Sequence, residues 1–276
     1  MSNCRLTVVV DNKAAEGLVA EHGFSLLIET DEQTILFDTG EKKALLSNME
    51  ALKIKPEKIS TLVLSHGHYD HTGGVAEMLK RNRKLEIYLH AGVFQPRYSL
   101  DEEKPVIVKM PLAAMEAVMH HPDNKTHWLT KPMELSSKVG ISGPIPRVND
   151  YEDTGGSFYL DPEGRETDTL KDDVAMWFKG DEGLVVCLGC CHSGLVNTLT
   201  RVTEITGEKR IALVLGGLHL LNASSQRLEK TVKQLADFDI KRIIACHCSG
   251  ESAVEYLNAH LSADISMGQA GMVIEA

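Results

Sequence analysis

Two hydrophobic periods alternate along the first ninety residues. RLTVVV (5–10), FSLLIET (24–30) and TILFD (34–38) are short apolar runs rich in β-branched residues and bounded by polar breaks, which predicts strands. The polar DEQ joins the last two as a hairpin. Leu45, Leu46, Met49 and Leu52 then recur at helical spacing and stop short of Pro56. A strand follows at 59–64, a helix opens at 75–79, and LEIYLH (85–90) returns to strand.

From 91 to 170 the periodicity fails. This stretch holds most of the prolines and the polar clusters HHPDNKT and DTGGS. A structureless loop of that length is improbable in a packed domain, so 91–170 is expected to be an insertion with secondary structure of its own, acting as a lid. Alternation then resumes: VAMWFK (174–179) and LVVCL (184–188) as a hairpin about Gly180–Gly183, a helix from 195, a strand at 211–215, a helix near 225–238, a strand at 242–246 and a helix at 252–261. The expectation is an α/β (α+β) chain in which two sheets pack together with helices outside, 1–276 forming one domain.

Composition narrows the function. A net charge of −10 over 276 residues argues against a nucleic-acid groove, which needs a basic face, but not against a small-molecule substrate, even a phosphorylated one. No apolar run approaches the ~20 residues of a membrane span. MSNCRLTVVVDNK has too short an apolar stretch for a signal peptide, so the expected location is cytoplasmic. The six cysteines then read as buried or metal-associated thiols, and self-association is left open. Twelve histidines are the anomaly, because imidazole is the commonest metal ligand.

Their chemistry concentrates in LSHGHYDHTGG (64–74). An apolar strand runs straight into His66, Gly67 and His68, and two residues of strand spacing point both imidazoles one way. The following turn carries Asp70 and His71 to a neighbouring point, a geometry suited to two metal ions side by side.

HxHxDH at a strand end, preceded by FDTG (37–40), resembles the metallo-β-lactamase superfamily of metal-dependent hydrolases. The resemblance implies a four-layer αββα sandwich over nearly the whole chain, with Asp38 orienting a metal-binding histidine. It also implies ligands at two later strand ends, met here by His192 in LVVCLGCCHSGLVN and His247 in KRIIACHCSG. His66, His68 and His192 are thereby expected to hold one metal, and Asp70, His71 and His247 the other. Most such proteins bridge the metals with an aspartate after a Gly-Asp strand end. Here the place reads Gly189-Cys190-Cys191-His192, so either His192 fills the remaining position or a thiolate of Cys190 or Cys191 joins the site. His219, in GGLHL, matches a histidine that serves proton transfer in relatives cutting RNA 3′ ends; it is a candidate general acid or a neighbour of the ligands. Together these segments resemble the dihydropterin–ribofuranosylaminobenzene phosphate synthase-like subgroup.

The implied activity is hydrolysis of a small anionic or phosphorylated substrate by water activated on two divalent metals, with Asp70 and His219 as the catalytic side chains. Imidazole-rich sites favour zinc over manganese or iron. The competing readings are a pterin synthase, a redox enzyme or dioxygenase with iron at the same site, and an RNA-processing nuclease. Arg97 and Arg147, next to proline-stiffened turns, are expected to bind the substrate's anionic group.

Overall fold

Along the strand Gly183–Leu188, period two sends Leu184, Val186 and Leu188 to one face and Val185 and Cys187 to the other. All five are buried, so this strand is covered on both sides. The computed structural model in which this is seen describes residues 4–101 and 103–276. Met1–Asn3, the start of the stretch read above for a leader, and Glu102, inside the expected insertion, lie outside the described residues.

Two large sheets stack face to face. The first runs, across its width, Val273–Glu275, Arg5–Val10, Ser25–Glu29, Thr34–Phe37, Thr61–Val63, Glu86–Leu89 and Thr126–Trp128. Its pairings are antiparallel as far as Thr34–Phe37 and parallel beyond. The second runs Asp264–Met267, Arg242–Cys246, Arg210–Gly217, Gly183–Leu188, Ala175–Gly180, Val139–Ile141 and Met133–Glu134. Here the first three pairings are parallel, and the expected hairpin at 174–188 pairs antiparallel.

Leu6, Val8, Ile28, Ile35 and Val63 of the first sheet meet Met176, Phe178, Val185, Leu213 and Ile244 of the second in one core. Outside the first sheet, Leu45 and Met49 of the helix Ala44–Ala51 and Met78 and Leu79 of the helix Val75–Arg81 form a second core. Outside the second, Leu195, Leu199 and Val202 of the helix Leu195–Thr206 and Leu257 of Glu251–His260 form a third. Each such leucine contributes about 1.5–3 kcal/mol by leaving water. The layers are helix, sheet, sheet, helix, as the resemblance implied.

The expected insertion is not one lid. The edge strand Thr126–Trp128 extends the first sheet, while Met133–Glu134 and Val139–Ile141 extend the second. Val139 and Ile141 are buried in the inter-sheet core. Only Tyr98–Ser99, Val106–Ile107 and Phe158–Tyr159 form a separate three-stranded sheet. These strands have two or three residues each, too few for a period to show. The strands Asp264–Met267 and Val273–Glu275 were also missed.

Strands from both sheets end at one edge, and the chain leaving them carries the chemistry. Asp38 follows Thr34–Phe37 and His66 follows Thr61–Val63. His192, His219 and His247 follow Gly183–Leu188, Arg210–Gly217 and Arg242–Cys246. The carboxyl edge of parallel strands is where open α/β sheets build ligand sites.

Candidate metal centre

The turn after Thr61–Val63 is pinned from the FDTG segment. Thr39 donates its N–H (2.8 Å) and its hydroxyl (2.9 Å) to the His71 carbonyl. Asp38 Oδ2 accepts from His71 Nδ1 at 2.7 Å and from the Ser65 hydroxyl at 2.6 Å, and Asp38 Oδ1 accepts from Ser65 N at 2.7 Å. Gly73 is required by crowding: a Cβ there would lie 1.7 Å from the Glu41 carbonyl.

With Nδ1 committed to Asp38, His71 turns Nε2 outward, where it lies 3.7 Å from Asp70 Oδ2 and 3.4 Å from His247 Nε2. Asp70 Oδ2 lies 3.1 Å from His247 Nε2. The three residues expected at one metal therefore share one point. His247 is fixed by groups that the sequence reading missed. Its N–H donates to Asp11 Oδ1 (2.7 Å), and its Nδ1 donates to Asn12 Oδ1 (2.8 Å). Both follow Arg5–Val10, and an Asp-Asn pair ending a strand was the available signal. His22 was missed too; its Nε2 stands 3.3 Å from Asp70 Oδ2 at the rim.

The second expected triad also assembles. The ring of His66 is 4.6 Å from that of His68 and 4.7 Å from that of His192, and the donor atoms of all three lie within 4.8 Å of one another. His192 Nδ1 donates to the Thr154 carbonyl at 2.8 Å, and His66 Nδ1 is 2.9 Å from the Ser65 hydroxyl. The Nε2 atoms of His66, His68 and His192 are all buried with no hydrogen-bond partner. Such atoms are costly unless something fills the space between them. Burial first, then neighbouring positive groups, holds all three imidazoles well below their usual pKa, so they are neutral donors.

Electrostatics differ at the other triad. Burial works against ionisation of Asp70, but His71, His22 and His247 outweigh it and hold the carboxyl well below its usual range. Burial likewise works against charging His71, yet Asp70 and Asp38 raise it to about 9. Three neutral lone pairs and a carboxylate–imidazole group are donor types that suit divalent cations, so the residues fit the metal binding that the resemblance implies.

His219 sits beside the first triad, its ring 4.1 Å from His192 and its Nδ1 buried without a partner. Cys190 lies between the triads, with Sγ 3.0 Å from His71 Nε2. Cys191 does not face them: its Sγ is 3.3 Å from Thr198 Oγ1, in the core under the helix Leu195–Thr206. Both cysteines lie past the strand end at Leu188, and the turn there, with Cys191 at φ +60°, carries its side chain away from the triads, which corrects the expectation for Cys191.

Neither arginine reaches the cleft. Arg97 is fully buried; its Nε donates to Asp168 Oδ2 at 2.7 Å, its Nη1 to Asp172 Oδ2 at 2.9 Å, and its Nη2 to Asp172 Oδ1. Asp172 Oδ2 also accepts from Gly67 N at 2.8 Å, so this ion pair braces the loop between His66 and His68. Arg147 donates to the carbonyls of Glu152 (2.9 Å) and His192 (2.6 Å). Glu152 in turn accepts from Val196 N and Asn197 N at the start of the helix after His192. Both guanidiniums support the ligand loops, correcting their expected role as substrate clamps.

The cleft above the two triads is lined by Tyr69, Phe158, Leu221, Asp101 and Asn222, together with His22, His68 and His219. Among the described residues lining it there is no lysine or arginine. No helix of the described residues is long and apolar enough to cross a membrane.

Comparison with known proteins agrees with this geometry. The chain is 28% identical over 270 residues to a 7,8-dihydropterin-6-methyl-4-(β-D-ribofuranosyl)-aminobenzene-5′-phosphate synthase of Methanocaldococcus jannaschii, covering 93% of this chain and 90% of that one. It is 30% identical over 265 residues to the uncharacterized protein MJ0448 of the same archaeon, covering 92% and 93%. The crystal structure of Tm1679, a metal-dependent hydrolase of the β-lactamase superfamily, superposes with a TM-score of 0.84 at 28% identity over 99% of both chains. The metallo-β-lactamase superfamily sequence model matches residues 18–247, and on that match this chain belongs to the metallo-β-lactamase superfamily.

Proposed function

We propose that the protein is a metal-dependent hydrolase with two adjoining cation subsites, acting on a small anionic substrate. The observation that carries this is the set of three converging, buried and unpartnered Nε2 atoms of His66, His68 and His192. These residues would hold one divalent cation, and Asp70, His71 and His247 the other. Bound there, the cations polarise the substrate's electrophilic group and lower the pKa of a water towards neutrality.

The chain's own residues do the rest. Asp38, Asn12 and the Thr154 carbonyl hold three imidazoles in the tautomer that presents Nε2. Asp70, kept ionised, orients the attacking water as well as serving as a donor. His219 stands where a proton can pass to the leaving group. Phe158, 4.8 Å from His68 and 5.3 Å from His192, walls the site from bulk water. With no lysine or arginine among the described residues lining the cleft, and Asp70 and Asp101 lining it, an anion's charge would be met by the cations themselves.

A second reading, a pterin-linked synthase acting on a ribofuranosyl-aminobenzene phosphate, is favoured by the identity across 93% of the chain. It uses the same two subsites and the same class of phosphorylated compound. One experiment separates the readings. Protein purified without added metal is subjected to elemental analysis, then screened on phosphomonoesters, phosphodiesters, lactones and thioesters and on ribofuranosyl-aminobenzene phosphate with a reduced pterin. We expect transition metal, zinc first, with hydrolytic turnover, and in His68→Ala and His247→Ala the loss of turnover together with one equivalent of metal each. Absence of transition metal, or full turnover in both variants, refutes the metal-dependent reading. Turnover only in the presence of the pterin replaces hydrolase by synthase.

A further inference from the structure

Cys190 belongs to three groups of convergent donor atoms at once. Its Sγ lies within 4.8 Å of the donors of His66 and His71, of His192 and His219, and of His247 and Cys248. Cys190 is thus the shared neighbour of both triads. Cys248, one residue after His247, brings a second thiol to the same place: the two Sγ atoms are 3.3 Å apart, and both are free cysteines. The strand end at Gly217 makes room for them. A Cβ there would lie 2.7 Å from Cys248 Sγ and 3.2 Å from Cys190 Cα, so a side chain would fill the cradle that holds the pair.

We infer that Cys190 is a thiolate ligand shared between the two cation subsites, with Cys248 joining Asp70, His71 and His247 at the second. This rests on the metal-dependent reading and gives it a definite metal chemistry. Two sulfur donors beside imidazoles select zinc or another thiophilic cation over magnesium or manganese, which prefer all-oxygen sites. A shared thiolate also brings one negative charge between two cations that would otherwise repel across a short gap. Cys191 takes no part, since its sulfur faces Thr198 on the other side of the strand end.

The test is cobalt(II) titration of the metal-free, reduced protein, followed by thiolate-to-cobalt charge-transfer absorption in the near ultraviolet and by metal-to-protein stoichiometry. The wild type is expected to take up two equivalents and to develop the band. Cys191→Ser should match it. Cys190→Ser should lose most of the band and bind its second equivalent at least about 100-fold more weakly, since losing a ligand costs no less than the 10–100-fold of losing its support. Cys248→Ser should lose the smaller remainder.

Cys190→Asp keeps a donor at the shared position and guards against a variant that merely misfolds. It should retain two equivalents without the Cys190 share of the band, and shift its preference from zinc towards manganese. The inference is overturned if the two-equivalent wild type shows no charge transfer. It is also overturned if Cys190→Ser binds both equivalents with wild-type affinity while His68→Ala and His247→Ala each lose one. In both cases the metal-dependent reading survives, whereas a wild type that binds no cation removes both.

Discussion

Replacing Arg97 by methionine tests what a buried cation under the metal loop does. Methionine fills much of the same volume, so the cavity contribution is small. The electrostatic one is not. Asp168 and Asp172 are 3% and 0% exposed, and Arg97 is their ion-pair partner, bonded through Nε, Nη1 and Nη2. What remains is Gly67 N on Asp172 and Leu170 N on Asp168. Removing one member of a buried pair costs about 3–5 kcal/mol, because the charges left behind have no water to turn to. For a chain of this size that lowers the melting midpoint by roughly 6–20 °C, at about 2–4 °C per kcal/mol.

The assay is urea unfolding of metal-free protein, so that cation binding does not enter. Arg97→Lys keeps a charge without the planar fork and should lose about half as much. A loss below about 1 kcal/mol in Arg97→Met, accompanied by a raised KM, would refute the structural role and restore the arginine as a substrate clamp.

Three further outcomes follow from the same network. Asp38 has φ +63°, which asparagine tolerates, so Asp38→Asn alters the charge facing His71 with little backbone cost; metal affinity should fall about 10–100-fold, checked by competition with a chromophoric chelator. Because His71 is raised to about 9, it is protonated at pH 7.5 in the metal-free protein and must give up that proton when a cation binds. Calorimetry in buffers of differing ionisation enthalpy should therefore show at least one proton released from this site, and apparent affinity should climb at least about tenfold per pH unit below pH 9; a pH-independent affinity would contradict it. Burial raises Asp173 to about 7, and its Oδ1 has no partner, so its contribution favours the fold below pH 4 and is lost as pH rises through 7. Asp173→Asn should thus gain stability over wild type at pH 8, by at most about 4 kcal/mol, and by less than half of that at pH 5, as read by urea midpoints at the two pH values.

The two-sheet architecture and most of the candidate donor residues are legible in the sequence. Runs such as RLTVVV and LVVCL carry enough consecutive positions for their period to be read, and HGHYDH packs four donors into one turn whose spacing is local. His192 and His247 were legible because each interrupts an apolar strand end. Tertiary structure alone decided the rest. Whether a strand-end residue faces the cleft or the core separates Cys190 from its neighbour Cys191, and that depends on a single peptide's direction. Arg97 and Arg147 resemble surface clamps until the buried Asp168, Asp172 and the His192 carbonyl stand beside them, at separations of 71, 75 and 45 residues. Asp11, Asn12 and His22 reach the site only because strands distant in sequence end at one edge. Periodicity records which side of an element is dry, whereas the partner of a buried charge is fixed by contacts that the chain makes only once folded.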